Sequence, residues 1–424
     1  MIAFHFPPLA GSSGIQRTLR LVQHLPALGW QPLVLTVGPA AYEQTGGDLV
    51  TEVPHDTVVR RAIAFDTARH LALRGRYFAS MARPDRWVSW QWDGVRQGLQ
   101  LIREYRPEVI WSTYPIATAH VIGQRLHAST GLPWIADFRD PMAQEGYPAD
   151  PVTWGHYQRI ERLTLQQAAL SVFTTPGAAD LYRKRYPTAA RRIAVIENGY
   201  DEDTFANIPE APPVPNSTAR RPAVLLHSGI VYPSERDPTQ FFAALRILVD
   251  SGGIHPGDLL VRFRAAVHDE LLRGLASQHG VQAYVDIVPS LPYREALAEM
   301  VSADALLVLQ ASNCNEQIPA KIYEYLRAGR PIIALTDQAG DTAGVLRQAG
   351  LGAIAPLDSA RDIAALLQTF VPRLRAGSAA LPDPSVVKRA SRKERAAVLA
   401  AHLNHIAGTK QETVQAFSTH INGT

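Results

Sequence analysis

The chain has 424 residues, 46% of them hydrophobic and 19% charged, with a formal net charge of +3. That length exceeds one ordinary domain and points to two, and so small a net charge speaks against the concentrated basic face of a nucleic-acid binder. The single cysteine, Cys314, excludes an internal disulfide framework and a Cys-rich zinc site, and fits a reducing compartment.

In chain order, Ile2–Phe6 reads as a short apolar strand ended by Pro7-Pro8. Almost nothing stands ahead of it, which fits a start codon upstream of Met1. The opening lacks the basic and long apolar regions of a signal peptide, and no run approaches the ~20 apolar residues of a membrane span. Gly11-Ser12-Ser13-Gly14 forms a glycine loop, followed by helical spacing (Ile15, Leu19, Val22, Leu25) that Gly29 stops. Pro32–Thr36 is a continuous apolar run of the kind found in buried parallel sheets. Further strands are expected at Val109–Ser112, Trp134–Phe138, Ser171–Thr174 and Ile193–Ile196, and helices near 93–105, 116–128, 157–169 and 177–185. This βαβ alternation predicts an α/β domain with a doubly wound parallel sheet.

Residues 206–222, rich in Pro and small polar residues, read as a linker. A second series follows, with strands Val224–His227, Leu260–Phe263, Val285–Val288, Leu306–Leu309 and 332–335, and helices at Pro238–Val249, 319–328, 340–349 and 359–370. A late helix is expected over Lys388–Ile406, and the polar tail 408–424 is expected to be mobile. The expected organisation is two Rossmann-like domains, 1–205 and 223–387, joined by 206–222.

Chemistry concentrates in residues 313–335, where Glu316 and Glu324 bracket seven residues that include Pro319 and Lys321. A helix entrance presents unpaired N–H groups and partial positive charge, so it suits phosphate; carboxylates beside it suit sugar hydroxyls. The Gly11–Gly14 loop either lets a ligand approach or is only a tight turn; with no G-x-G-x-x-G and no GK[ST], it is neither a dinucleotide nor a P-loop fingerprint. Asp137, Arg139 and Asp140 fall at the carboxyl end of a strand, where open α/β sheets bind ligands; the plainer alternative is an ion pair fixing a loop. Glu197-Asn198-Gly199 is a turn and a candidate hinge. In HSGIVYPSERD, Gly229 permits close backbone approach and Arg236 has a guanidinium suited to a diphosphate. Segment 73–92 mixes arginines (74, 76, 83, 86) with Tyr77, Phe78, Trp87, Trp90 and Trp92, a mixture that suits sugar stacking or a membrane interface as well as an ordinary core. No metal-ligand spacing and no G-x-S-x-G elbow appears.

Taken in order, these pieces resemble the glycosyltransferases of the GT-B fold, in particular the retaining family 4, over about residues 3–406. The most specific part, NEQIPAKIYEYLRAGRPIIAL, is similar to that family's E-x7-E region. SSGIQRTLRLVQHLPALGW, WIADFRDPM, VIENGYDEDTF and SGIVYPSERDP support it. The resemblance implies two Rossmann-like domains facing across a cleft, with helix 388–406 crossing back to the first. It implies that Glu324 bonds the donor ribose and Glu316 the donor sugar. The amides of Gln317, Ile318 and Ala320 would lie near the diphosphate, as would Arg236, Lys321, Gly229 and, from the first domain, Gly14; Val288 would lie near the base. Arg139 stands where many members carry a His beside the donor sugar, with Asp137 close by, and Ile230 stands where many carry an Arg.

The implied function is retaining transfer of a sugar, taken as a hexosyl group, from a nucleoside diphosphate donor to a hydroxyl, with no metal and no other cofactor. Catalytic roles would fall to Glu316, Arg139 and Asp137. The implied acceptor is a glycan or lipid-linked glycan in surface polysaccharide or glycolipid assembly, met in the cytoplasm or at the inner membrane face by peripheral contact, with no nucleic-acid partner. The alternatives are a sugar-nucleotide epimerase of the same fold and a catalytically silent, sugar-nucleotide-binding partner protein. A nicotinamide oxidoreductase is a weaker third, against which the absent G-x-G-x-x-G counts.

Overall fold

A computed structural model describes residues 1–12, 14–206, 208 and 221–421, with side chains through Gly408. Ser13, most of the Pro-rich segment read as a linker and the last three residues of the tail lie outside the described residues. The chain divides into two units, Met1–Asn198 with Arg392–Thr424, and Gly199–Ser391. The passages fall at the Asn198-Gly199 turn, ahead of the Pro-rich segment, and at Ser391-Arg392.

The first unit holds β1 (Leu33–Val37), β2 (Val58–Ala62), β3 (Ile110–Thr113), β4 (Trp134–Arg139), β5 (Leu170–Phe173) and β6 (Ile193–Val195). All their pairings are parallel, β1 with β2 and β3-β4-β5-β6 in sequence order. The strand expected at Ile2–Phe6 is reduced to a bridge between these two groups. Ile2 pairs with both Leu35 and Ser112, its N–H reaching the Trp111 carbonyl at 2.7 Å and the Ala3 N–H reaching that of Leu35 at 3.1 Å. Pro7-Pro8 has no N–H groups to extend the ladder. β2 was not expected because Arg60 and Arg61 interrupt its apolar pattern; Arg61 donates to the Pro7 carbonyl at 2.6 Å and Arg60 pairs with Glu104. Trp90, Trp134, Phe138 and Phe173 are fully buried in the core.

The late segment is two helices, Pro384–Arg389 and Arg392–Ile421. Asp383 caps the first through the Ser385 N–H at 2.7 Å, and Pro384 fits its first turn. The second groups with the first unit, where Ala396, Leu399 and Leu403 join Leu21 of the helix Gly14–His24, and Leu25 just after it, in one apolar cluster. Its backbone stays helical beyond Gly408, through most of the polar tail.

The second unit is a six-stranded parallel sheet of β7 (Ala223–Ser228), β8 (Leu259–Arg264), β9 (Val285–Val288), β10 (Ala305–Leu309), β11 (Ile332–Leu335) and β12 (Ile354–Ala355). The order β12-β11-β10-β7-β8-β9 reverses direction between β7 and β10, which makes that edge the switch point where such sheets bind ligands. Consecutive strand residues face opposite sides, so the apolar runs serve two cores. Leu225, Val261 and Leu307 pack with the helices Thr239–Asp250 and Ala360–Arg375. Leu226, Leu306 and Val308 pack with Ile322 and Tyr325 of the helix Lys321–Ala328. Helices Asp269–His279 and Tyr293–Ser302 complete the crossovers; neither stood out in the sequence.

Candidate functional site

In the second unit, charge gathers at the carboxyl end of β7. The helix Lys321–Ala328 starts at Ala320 and stops at Gly329, which takes the left-handed conformation a C-terminal glycine supplies. Three residues apart, Lys321 and Glu324 share one face. The Lys321 ammonium donates to the Ser228 carbonyl at 2.9 Å and sits 3.3 Å from His227 Nε2. His227 is fully buried with Nδ1 3.0 Å from the Leu307 carbonyl. The proton therefore belongs on Nδ1, and Nε2 accepts from Lys321. Burial, then the charge of Lys321, holds this imidazole well below its ordinary pKa. Desolvation and then the nearby Arg236 bring Lys321 down to about 7, with Glu324 opposing.

Gly229 has φ +117°, and a side chain there would place its Cβ 3.2 Å from the Lys321 ammonium. The glycine leaves backbone bare beside two cations. Arg236 donates to the Ile230 carbonyl at 2.6 Å, with its guanidinium carbon 5.1 Å from the Tyr232 ring centre. Glu324 accepts from the Tyr293 hydroxyl at 2.6 Å, and Tyr325 holds the Ser228 N–H at 2.8 Å. Lys321, Arg236, Gly229 and Glu324, expected together from sequence, converge here.

The loop before this helix is organised by Gln310, which the sequence reading missed. Its amide donates to the carbonyls of Cys314 at 2.8 Å and Gln317 at 2.9 Å. The Gln317 N–H is already engaged by the Cys314 carbonyl at 3.0 Å, whereas the Ile318 and Ala320 amides make no backbone hydrogen bond among the described residues. Ile318 packs into the apolar core with Ile322, and Glu316 is exposed on the loop. Val288 ends β9, and its carbonyl accepts the Ala265 N–H at 3.1 Å.

In the first unit, Asp137 and Arg139 separate into different environments. Asp137 is fully buried, with both oxygens held by Arg17 at 2.8 Å and one by the Thr113 hydroxyl at 3.1 Å. Arg17 also donates to the carbonyls of Ile196 at 3.0 Å and Glu197 at 3.3 Å. This places Asp137 as a support for Arg17, itself unnoticed in sequence because its partner is 120 residues away.

The pairing of β4 with β5 shifts register between Asp137 and Arg139, and Arg139 takes φ +61° with its carbonyl bound by the Thr174 N–H at 3.0 Å and hydroxyl at 2.8 Å. A bulge of this kind re-aims a side chain. The Arg139 guanidinium turns to the start of the helix Gly14–His24, where a Cβ on Gly14 would lie 3.1 Å from it and 2.3 Å from His5 Nδ1. His5 is bridged to Ser12 at 3.2 Å, and burial, then Arg139, lowers it to about 4. The Arg139 Nε is buried without a partner among the described residues.

Of the aromatic segment, Trp90 is fully buried and Trp87 donates to the Ala41 carbonyl at 3.1 Å, so both serve the core. Leu73 and Phe78 are each 80% exposed. No helix among the described residues is long and apolar enough to cross a membrane.

Residues 13–199 match the model of the glycosyl transferase 4-like domain family. No curated protein sequence matches the chain. Among solved structures, the chain is similar to Anabaena HepE in complex with UDP, at 15% identity over 98% of this chain and 99% of that one with a TM-score of 0.60; HepE has also been captured with UDP-glucose. It is similar to sucrose-phosphate synthase from Thermosynechococcus elongatus, at 17% identity over 99% of each chain with a TM-score of 0.57. It is also similar to the lipopolysaccharide outer core galactosyltransferase WaaB, at 12% identity over 96% of this chain and 98% of that one with a TM-score of 0.61. With two parallel-sheet units, the chain has the GT-B fold of these structures, and its residues 13–199 match the glycosyl transferase 4-like domain family.

Proposed function

We propose that the protein is a retaining glycosyltransferase that moves a hexosyl group from a nucleoside diphosphate sugar to an acceptor hydroxyl. The observation that carries this reading is the half-buried Lys321 ammonium, which has no salt bridge among the described residues and stands beside Arg236 and the bare backbone of Gly229. Two cations without a salt bridge among the described residues, at a sheet switch point, suit a diphosphate. The structures of HepE with UDP and UDP-glucose lend the fold a precedent for such a donor.

On this reading the diphosphate lies against Lys321, Arg236 and the amides of Ile318 and Ala320, while Glu324, oriented by Tyr293, receives the ribose hydroxyls. Val288 lies by the base, and Glu316 meets the sugar. In the first unit, Gly14 and Arg139 are the residues assigned to the donor, and Asp137 acts by holding Arg17. The bond from the anomeric carbon to the phosphate oxygen breaks as the acceptor oxygen bonds the same face. The acceptor proton passes to the leaving phosphate, whose growing charge the cations stabilise. In this scheme protein groups alone neutralise that charge, and no metal is used.

The acceptor is proposed to be a lipid-linked glycan met at the cytoplasmic membrane face, in surface polysaccharide or glycolipid assembly. Exposed Leu73 and Phe78 beside Arg74 and Arg76 support this. The test is release of nucleoside diphosphate from a panel of UDP-, GDP-, ADP- and dTDP-sugars. Release from one donor, reduced roughly a hundredfold by Glu324→Ala, is expected. Tight donor binding without turnover under any acceptor would replace the enzyme by a silent sugar-nucleotide-binding protein.

A further inference from the structure

We infer that Arg264, the last residue of β8, is a positioning residue: it fixes the segment after β9, assigned above to the nucleobase of the donor, at a set distance from the phosphate end at β7. The inference rests on the donor reading and extends it to a residue outside the set assigned to the donor.

β8 lies between β7 and β9 in the sheet, so its carboxyl end separates the two parts of that site. The main chain of Arg264 reaches one part and its side chain the other. Its carbonyl accepts the Gly229 N–H at 2.8 Å, which holds the bare backbone beside Lys321. Its guanidinium donates to the Pro289 carbonyl at 2.6 Å, one residue beyond Val288. The next two residues repeat the link. The Ala265 N–H donates to the Val288 carbonyl at 3.1 Å, and the Ala266 carbonyl accepts the Val231 N–H at 3.1 Å.

The other arms of the guanidinium grip Glu299 as a fork, Nε on one carboxylate oxygen and Nη2 on the other, each at 2.7 Å. Glu299 belongs to the helix Tyr293–Ser302, whose first residue bonds Glu324. Residues 289–292 therefore span two anchors, Arg264 and Glu324. Pro289 and Pro292 stand within that span, and their fixed φ leaves it little freedom. An ion pair this enclosed, with side chains 11% and 15% exposed, gains little net stability, because desolvation offsets most of the attraction. What a planar fork supplies instead is direction. The backbone just after it carries a second sign. Ala265 and Val267 take φ +57° and +68°, and the left-handed region is rare for a β-branched residue. Strain of this kind persists where the surroundings over-determine it, commonly at ligand clamps.

The experiment is calorimetric titration of the full chain with UDP, GDP, ADP, dTDP and inorganic diphosphate, in wild type, Arg264→Met and Arg264→Lys. Melting temperature and binding stoichiometry verify folding. If Arg264→Met does not fold, Arg264→Lys carries the test, since it keeps a charge beside Glu299 and loses the fork. Both variants should bind the nucleotide that wild type prefers at least about tenfold more weakly, and the preference among the four nucleotides should narrow. Affinity for inorganic diphosphate should stay within about twofold, because Lys321 and Arg236 are untouched. Full rescue by Arg264→Lys, an unchanged nucleotide preference, or equal loss of nucleotide and diphosphate affinity overturns the inference. Failure of wild type to bind any of the four nucleotides overturns the donor reading itself, and the inference with it.

Discussion

His227 Nε2 lies 3.3 Å from the Lys321 ammonium and accepts its proton-bearing edge, because Nδ1 is committed to the Leu307 carbonyl. The imidazole is thereby fixed neutral, and it gives Lys321 no negative charge to lean on. A lysine held this way is receptive to an incoming anion and sensitive to pH.

The first prediction follows from Lys321. Its folded pKa of about 7 lies below the ordinary 10.5, so the unfolded chain binds more protons between these values. The contribution of Lys321 to stability should therefore rise with pH across that window and be smallest below it. Lys321→Met should remove this slope, as read by urea unfolding at several pH values. In wild type, UDP should flatten the slope by favouring the ammonium, and UDP affinity should fall as pH rises through about 7. A UDP affinity equal in wild type and Lys321→Met across the range would reject the diphosphate role.

Glu324 and Tyr293 should behave as a pair. Glu324→Ala should reduce turnover by roughly a hundredfold, about 2.7 kcal/mol. Tyr293→Phe keeps the ring and loses the 2.6 Å hydrogen bond to the carboxylate. It should cost about 1.5–3 kcal/mol at most, expressed as a raised KM for the donor. Adding the second change to Glu324→Ala should do little further, a non-additivity that a double-mutant cycle measures.

Gly14→Ala should be disruptive for a specific reason. The new methyl would stand 2.3 Å from His5 Nδ1, so something must move. Overpacking of this kind costs about 1–3 kcal/mol. His5→Ala opens the space and should restore thermal stability to the Gly14→Ala protein.

Asp137→Asn should reveal itself as a stability defect before a kinetic one. It leaves Arg17, 8% exposed, facing a neutral amide. Breaking a buried pair costs about 3–5 kcal/mol, which a fall in melting temperature would report. Arg17 and Asp137 removed together, as a well-packed apolar pair, should recover much of that loss.

Membrane contact is testable at two exposed side chains. Leu73→Ser/Phe78→Ser should lower co-sedimentation with anionic vesicles, while Trp92→Ser, on a side chain 69% exposed but near Arg125, should change it little. Equal partition of all three proteins would remove the lipid-linked acceptor from consideration.

Much of the fold was legible because its signals are local. The βαβ alternation, Gly29 and Gly329 as helix stops, and Lys321 with Glu324 three residues apart all depend on neighbours in the chain. The grouping of Gly229, Arg236, Lys321 and Glu324 at one end of the second sheet was therefore anticipated. What escaped depends on contacts that only the fold creates. His227 meets Lys321 across 94 residues, and Arg17 meets Asp137 across 120. Gln310 follows a strand, and only the fold brings its amide to the carbonyls of Cys314 and Gln317. Trp90 and Phe78 shared one aromatic stretch, yet one is fully buried and the other 80% exposed; composition does not assign faces to an irregular segment.

The helix beginning at Arg392 sets an order of assembly. Leu21, Leu25 and Trp111 belong to a cluster completed by Ala396, Leu399 and Leu403. During synthesis the early residues emerge with this apolar surface open and wait for nearly four hundred others. The second unit, Gly199–Ser391, is continuous and has all its parts first. Vectorial folding would then finish the later unit before the earlier one, the reverse of the usual N-terminal-first sequence. A chain released just short of Arg392 would carry a finished second unit and an unfinished first.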